Sequence, residues 1–238
     1  MRPIAVAIIC KTPSPGKSKT RLSPPLRPEE CAEISACFIA DLAGTIALVA
    51  EDPTASAHVV YTPEGSEAEL RDLLPPGFGL TPQGEGDLGA RLLKGTADLI
   101  AAGHGGAILV NSDSPTLPPS LLRAGVAALA NGAPMVISPA IDGGYTFIGL
   151  AVPHARLFED IPWSTEVVFA LTMERARELG LSAVVLPAWY DVDDAQSYAM
   201  LQAELDGAHP PFADAATPLH DAPRTRAFVA SRRARDAS

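Results

Sequence analysis

Six short apolar runs of strand length alternate with stretches of helical period along most of this 238-residue chain. This alternation leaves few ways to fold. The runs lie at Ile4 to Cys10, Val59 to Thr62, Ala107 to Asn111, Met135 to Ser138, Thr146 to Leu150 and Ala183 to Leu186. Helical patterns cover about Pro28 to Val49, Leu88 to Ala102, Pro119 to Ala130, Glu166 to Leu179 and Ala195 to Leu205. Gly103, Gly132 and Gly180 follow three of these helices, where a left-handed residue ends a helix at least cost. Strand and helix in turn predict a three-layer αβα domain with a mostly parallel central sheet covered on both faces. Ligands of such sheets sit beyond the carboxyl ends of the strands. The expected domain is a single one over residues 1–207.

After Gly207 the composition shifts to Ala, Pro, Asp and Arg without a strong apolar period. The expectation for 208–238 is a partly disordered accessory tail. Its "RTRAFVASRRAR" stretch is also compatible with a short basic helix that folds back or meets a partner; composition favours the solvated tail.

With 28 Asp and Glu against 18 Lys and Arg, the net charge of -10 argues against a nucleic-acid-coating protein. No uninterrupted apolar stretch reaches the 18 residues of a membrane span, so none is expected. The first apolar run lacks a small-residue cleavage site and reads as a strand rather than a leader. Three cysteines, Cys10, Cys31 and Cys37, form no CxxC pair and leave an odd thiol, which points to the reducing cytoplasm. The five histidines sit near no GxSxG or HExxH pattern, so a hydrolase triad or a zinc protease is not expected. Cys10 reads as a small core residue.

Four stretches carry the chemistry. "KTPSPGKSKTRL" places Lys11, Lys17, Lys19 and Arg21 around Gly16 directly after the first strand. In so acidic a protein, cations at the ligand edge suit phosphate: lysine as point charge, arginine as a two-pronged donor, backbone N–H groups as a cradle. This opening loop is neither a Walker A loop nor a GxGxxG fingerprint. "AILVNSDSPTLPP" ends a strand in Asn111 and Asp113, and Asp113 beside a polyphosphate suits Mg²⁺ or Mn²⁺. It also fits an N-cap or an Asx-turn. "SPAIDGGYTFIGL" sets Asp142, Gly143 and Gly144 between two strands, a hairpin signal. "PAWYDVDDAQSY" supplies Asp191, Asp193 and Asp194. Asp194 fits the N-cap of the last helix, and Asp191 or Asp193 could reach a metal held by Asp113. Two further loops read first as structural. Asp87 and Arg91 lie in "QGEGDLGARL", with Arg91 one turn into a helix. Trp163, Ser164 and Thr165 lie in "IPWSTEVV", with Ser164 or Thr165 as N-cap and Trp163 buried or walling a pocket.

Taken in order, "KTPSPGKSKTRL", "GDLGARL", "NSDSPTL", "DGGYTFIGL", "PWST" and "DVDD" resemble a bacterial family of glycosyltransferases with the GT-A fold, over about Ile4 to Leu205. The opening loop also resembles that of 2-phospholactate guanylyltransferase. The resemblance implies that Lys11, Gly16, Lys17, Lys19 and Arg21 bind nucleotide phosphates, with Lys19 and Arg21 stabilising charge. It implies that Asp113 is the metal aspartate of the Asp-x-Asp position, with Asn111 in place of the first acid and Asp191 or Asp193 taking more of the work. Asp142, Gly143 and Gly144 would border acceptor or sugar, Asp142 as acceptor ligand or base; Asp87, Arg91, Trp163, Ser164 and Thr165 would line the substrate. The expected activity is a Mg²⁺- or Mn²⁺-dependent transferase moving a sugar from a nucleotide sugar to a small acceptor. The alternatives are a nucleotidyltransferase that takes a nucleoside triphosphate and releases pyrophosphate, and a nucleotide-binding protein without turnover. A homodimer is left open.

Overall fold

The computed structural model describes residues 2–236. Seven strands form one sheet: β1 (Ile4–Lys11), β2 (Ala55–Thr62), β3 (Gly79–Pro82), β4 (Gly106–Asn111), β5 (Met135–Pro139), β6 (Tyr145–Leu150) and β7 (Ala183–Val185). Their order across the sheet is β3-β2-β1-β4-β6-β5-β7. Only β6 runs against its neighbours, pairing antiparallel with both β4 and β5. Seven α-helices accompany them: α1 (Pro28–Val49), α2 (Glu67–Arg71), α3 (Leu88–Ala101), α4 (Pro119–Ala130), α5 (Val168–Glu178), α6 (Ala195–Leu205) and α7 (Pro223–Asp236).

β1 reads as a continuous apolar run because both of its faces are covered. Ile4, Val6, Ile8 and Cys10 enter one core cluster with residues of α1, α4, α6 and α7. Ala5 and Ala7 face the other, formed with Leu92 and Leu99 of α3 and Ala176 of α5. On that side α3 approaches the sheet closely at Gly95, where an added Cβ would lie 2.9 Å from Val60 Cγ1. The hairpin expected at Asp142 and Gly143 joins β5 to β6, closed by the Ala140 N–H donating to the Gly144 carbonyl at 3.0 Å. By length and composition α1 could cross a membrane; here its apolar residues, Ile34, Phe38, Leu42 and Ile46 among them, lie in the main core.

The structure departs from the sequence reading at five elements: β2 begins at Ala55 rather than Val59, α2 was not expected, and β3, α5 and the stretch after Gly207 also differ. β3 was not expected: four half-buried residues bounded by glycine and proline show no alternation to read. α5 begins at Val168 rather than Glu166, and its N-cap position, Val167, makes no side-chain cap. Ser164 and Thr165 are therefore not its caps; the Thr165 hydroxyl instead donates back to the Pro162 carbonyl at 2.7 Å. The stretch after Gly207, expected as a partly disordered tail, contains α7, which packs along α1 and buries Thr225, Phe228 and Val229, with Ala222 buried just before it. The Asp41 carboxylate of α1 accepts the Arg224 and Thr225 backbone N–H groups at 2.9 and 2.8 Å, capping the first turn of α7. Arg233 grips Asp206 with two bonds of 2.9 Å, and Arg235 reaches Glu30 of α1 at 3.2 Å.

Candidate active site

Every stretch singled out for chemistry leaves the sheet at its carboxyl edge, because the parallel strands all end there. After β1 the chain turns at Gly16, whose φ of 71° lies in the region glycine enters freely. It then reaches Lys19, which holds a left-handed conformation (φ 48°, ψ 39°) at the head of a 3₁₀ turn over Thr20–Leu22. For a side-chain-bearing residue that conformation costs about 1–2 kcal/mol and needs compensation. Compensation comes from the side chain: Lys19 Nζ lies 2.8 Å from Asp113 Oδ1 and 2.7 Å from Asp193 Oδ1, with only 7% of the side chain exposed. Burial opposes the ammonium charge, but the two carboxylates outweigh it and hold the Lys19 pKa above its ordinary value. Arg21 Nη2 takes the second oxygen of Asp193 at 2.7 Å. Lys11 and Lys17 are exposed at the same loop.

Asp113 sits on a turn built by its neighbours. Asn111 Oδ1 accepts from the Asp113 backbone N–H at 3.3 Å and from the Ser114 hydroxyl at 2.9 Å. That is the Asx-turn option, and it gives Asn111 a local job. The expected N-cap role of Asp113 is absent, since Pro118 holds that position for α4. Beyond β7 the chain stays against β5, with Trp189 N–H donating to the Pro139 carbonyl at 3.0 Å. The Val192 N–H then donates to the Asp113 carbonyl at 2.9 Å, which locks the acidic segment beside the β4 turn. Asp194 caps α6 as expected, accepting from the Ser197 N–H at 2.8 Å.

Among the described residues, Asp142, Asp191 and Asp193 form the one group of potential metal ligands, their ligand atoms all within 4.8 Å of one another. Hard cations hold oxygens at about 2.1–2.5 Å, so one ion between these three carboxylates fits. Burial, then the negative charges of Asp193, Asp142 and Asp113, push the Asp191 carboxyl up to about 7, against the opposing pull of Lys19. The grouping shares Asp191 and Asp193 with the expected set of Asp113, Asp191 and Asp193 and adds Asp142, read as acceptor ligand or base; Asp113, like Asp193, is ion-paired with Lys19.

Three cavities meet at this edge. The first, about 280 Å³, is lined by Lys11, Lys17, Lys19 and Arg21 together with Asp113 and Asp193. The second, about 260 Å³, is largely apolar and runs from Cys10 past Thr62 and Leu92 to Tyr145. Its polar floor includes a residue that sequence reasoning missed, Gln83. Buried at the end of β3, Gln83 donates from Nε2 to the Cys10 and Val60 carbonyls at 2.7 and 3.0 Å. Arg91 reaches the Gln83 side-chain oxygen at 3.4 Å and the Gly86 carbonyl at 3.0 Å. The available signal was a lone glutamine between Thr81-Pro82 and the "GEG" loop. The third cavity, about 520 Å³, is walled by Asp142, Gly144, Trp163, Ser164, Thr165 and Glu166. Its rim is tightly built: at Gly143 (φ 93°) an added Cβ would lie 2.1 Å from the Glu166 carbonyl oxygen. Asp87 is set apart; it caps α3 by accepting from the Ala90 N–H at 2.9 Å. No histidine lines these cavities among the described residues. Cys10 is a buried thiol that burial and then Asp113 push up to about 12, which leaves it unreactive near neutral pH.

A sheet in this order, with a single reversed strand and carboxylates gathered beyond its edge, is the nucleotide-diphospho-sugar transferase fold. The chain superposes on a crystal structure from Desulfovibrio desulfuricans G20, provisionally assigned as a nucleotide-diphospho-sugar transferase, with a TM-score of 0.82 and 25% identity, covering 98% of this chain and 96% of that one. A cytidylyltransferase from Leptospira borgpetersenii shares the fold at 10% identity and a TM-score of 0.56, covering 100% and 96%. So does glucosyl-3-phosphoglycerate synthase from Mycobacterium tuberculosis, solved with Mn²⁺, uridine diphosphate and glucosyl-3-phosphoglycerate, at 12% identity and a TM-score of 0.50, covering 86% and 77%. The chain belongs to DUF2064, a family of uncharacterized proteins conserved in bacteria, whose model matches residues 45–165. No curated protein sequence matches it significantly.

Proposed function

We propose that this protein is a divalent-metal-dependent transferase that uses a nucleotide-activated donor, and that the group it moves is a sugar. The carrying observation is the meeting of three cavities of different character at Asp113: cationic, largely apolar, and acidic, the first and third also sharing Asp193. A nucleotide sugar has three matching parts. Lys11 and Lys17 suit the phosphates, the cavity over Gln83 and Arg91 suits the base, and the cavity beside Trp163 suits the sugar and acceptor. The whole-length likeness to the Desulfovibrio protein supports sugar transfer.

The charge balance supports the same choice over nucleotidyl transfer. Of the four cations in the opening loop, Lys19 and Arg21 are ion-paired with Asp113 and Asp193. Two free lysines suit a diphosphate better than a triphosphate, so the cation density of the sequence overstates the phosphate charge held.

In this reading Asp142, Asp191 and Asp193 hold Mg²⁺ or Mn²⁺, which when bound neutralises charge on the leaving diphosphate. Lys19 keeps Asp113 and Asp193 apart and oriented. An acceptor hydroxyl oxygen forms the bond to the anomeric carbon and gives its proton to the Asp142 carboxylate. The bond from that carbon to the phosphate oxygen breaks, and the nucleoside diphosphate leaves with the electron pair.

A thermal-shift screen of nucleoside diphosphates, triphosphates and nucleotide sugars with Mg²⁺, Mn²⁺ or EDTA tests the binding. At about 100 times its dissociation constant a ligand stabilises by about 2.7 kcal/mol, a rise of about 5–10 °C for a chain of this size. The rise should need metal and should vanish in Asp191→Asn. Release of nucleoside diphosphate with acceptor marks sugar transfer, and release of pyrophosphate would replace it with nucleotidyl transfer. No shift with any nucleotide under any metal condition would sink the reading.

A further inference from the structure

The acidic cavity carries information about the acceptor, and this inference rests on the transferase reading above. Asp113, Asp142, Glu166, Asp191 and Asp193 all line it. Among the described residues of that lining the single cation is Arg21, already 2.7 Å from Asp193. A phosphate or carboxylate entering here meets five acids, two of them, Asp113 and Asp193, held by Lys19, and no cation that is free to receive it. Lys19, Arg21 and one divalent ion together offset four of the five charges, which leaves the wall with about one net negative charge and no unpaired cation for an anion. The cationic loop is no substitute, since Lys11 and Lys17 line the neighbouring cavity and not this one.

The remaining wall is suited to hydroxyls. Trp163 contributes an aromatic surface, and its indole Nε1 is buried without a hydrogen-bond partner. The turn beside it is held open by Ser164 at φ 65°, and Thr165 and Glu166 line the rim. An aromatic face for C–H groups, with carboxylates to accept O–H donors, is a pairing that binds polyhydroxyl skeletons. A rim fixed by the Gly143 contact, and by the Phe169 N–H donating to the Gly143 carbonyl at 2.8 Å, presents these groups in one arrangement.

We propose that the acidic cavity takes an uncharged polyhydroxyl acceptor, one bearing neither phosphate nor carboxylate, seated on Trp163 with Asp142 and Glu166 accepting its hydroxyl hydrogen bonds. The sign of the wall selects against the anionic counterpart of the same skeleton.

The test uses the full ¹⁵N-labelled chain, whose two tryptophans, Trp163 and Trp189, give two indole N–H signals. Trp163→Phe assigns them. Matched probes are titrated: glucose against glucose 6-phosphate, glucose against gluconate, and glycerol against glycerol 3-phosphate. The Trp163 signal should move with the uncharged member at concentrations at least about tenfold lower than with its anionic partner, while the core Trp189 signal stays still. Glu166→Lys should narrow that gap by about tenfold. An anionic member that binds as well as its uncharged partner overturns the proposal, and so does a Trp163 signal that no uncharged probe moves. The nucleotide thermal shift is read separately. Nucleotide binding without polyol binding defeats this inference alone; polyol binding without nucleotide binding defeats the transferase reading and leaves the cavity's preference standing.

Discussion

Replacing Lys19 with methionine keeps a side chain of similar length and removes the buried ammonium between Asp113 and Asp193. Stripping one partner from a fully buried ion pair costs roughly 3–5 kcal/mol, because the other charge is left without compensation. Here both carboxylates keep 28% of their side-chain exposure, and water recovers part of the loss. About 2–3 kcal/mol is therefore expected. With a urea slope near 3 kcal/mol/M for a chain of this size, the unfolding midpoint should fall by about 0.7–1 M at constant slope. The cause assigned is charge, and it has two further signatures. Adding Asp193→Asn to Lys19→Met should restore about half the loss, since one stranded carboxylate is gone. Lys19→Arg, which keeps the charge, should also lose less stability than Lys19→Met. A loss below about 0.5 kcal/mol, or a double variant no more stable than the single one, would refute the view that the acids consume this lysine's charge.

Three other perturbations probe separate parts of the molecule. Asp41→Ala removes the acceptor of two α7 backbone N–H groups; it should cost about 1–2 kcal/mol and speed tryptic cleavage around 208–236, and unchanged protection would mean that burial of Phe228 and Val229 alone docks the helix. Gly143→Ala drives a Cβ into the Glu166 carbonyl at a φ of 93°, so stability should fall by at least about 2 kcal/mol in a melt, with wild-type stability arguing against the tight rim. Burial, and then His104, hold the His58 imidazole down at about 4 against an ordinary 6.5. The unfolded chain therefore binds that proton first, and stability drains as pH falls from about 6.5 to 4, by about 1–2 kcal/mol after solvent screening. His58→Gln should flatten that part of the pH profile, and an unchanged slope would exonerate His58.

Much of the fold was legible in the chain, and the reasons are local. β1 announces itself because a strand covered on both faces is apolar at every position, and α4 and α6 keep their expected limits because helical period and end signals lie within a few residues of each other. The ligand edge followed from the alternation of the two. β3 was not legible, being short and without alternation, and neither was the docking of α7. Read alone, "RTRAFVASRRAR" is a charged stretch; it becomes a packed helix only because Asp41, Glu30 and Asp206 wait on α1 and next to α6 to meet its amides and arginines.

The candidate site divides in the same way. Sequence by itself named its residue types, since cations after β1 and carboxylates after β4, β5 and β7 can be read from neighbours in the chain. Which charge meets which was decided by the tertiary structure. Lys19 pairs with an acid 174 positions away, Asp142 rather than Asp113 joins Asp191 and Asp193, and Gln83 is brought under Arg91 by a strand no pattern revealed. Propensity and period are properties of short windows, whereas pairing of charge depends on distance in space, and distance is set only when the sheet assembles in its final strand order.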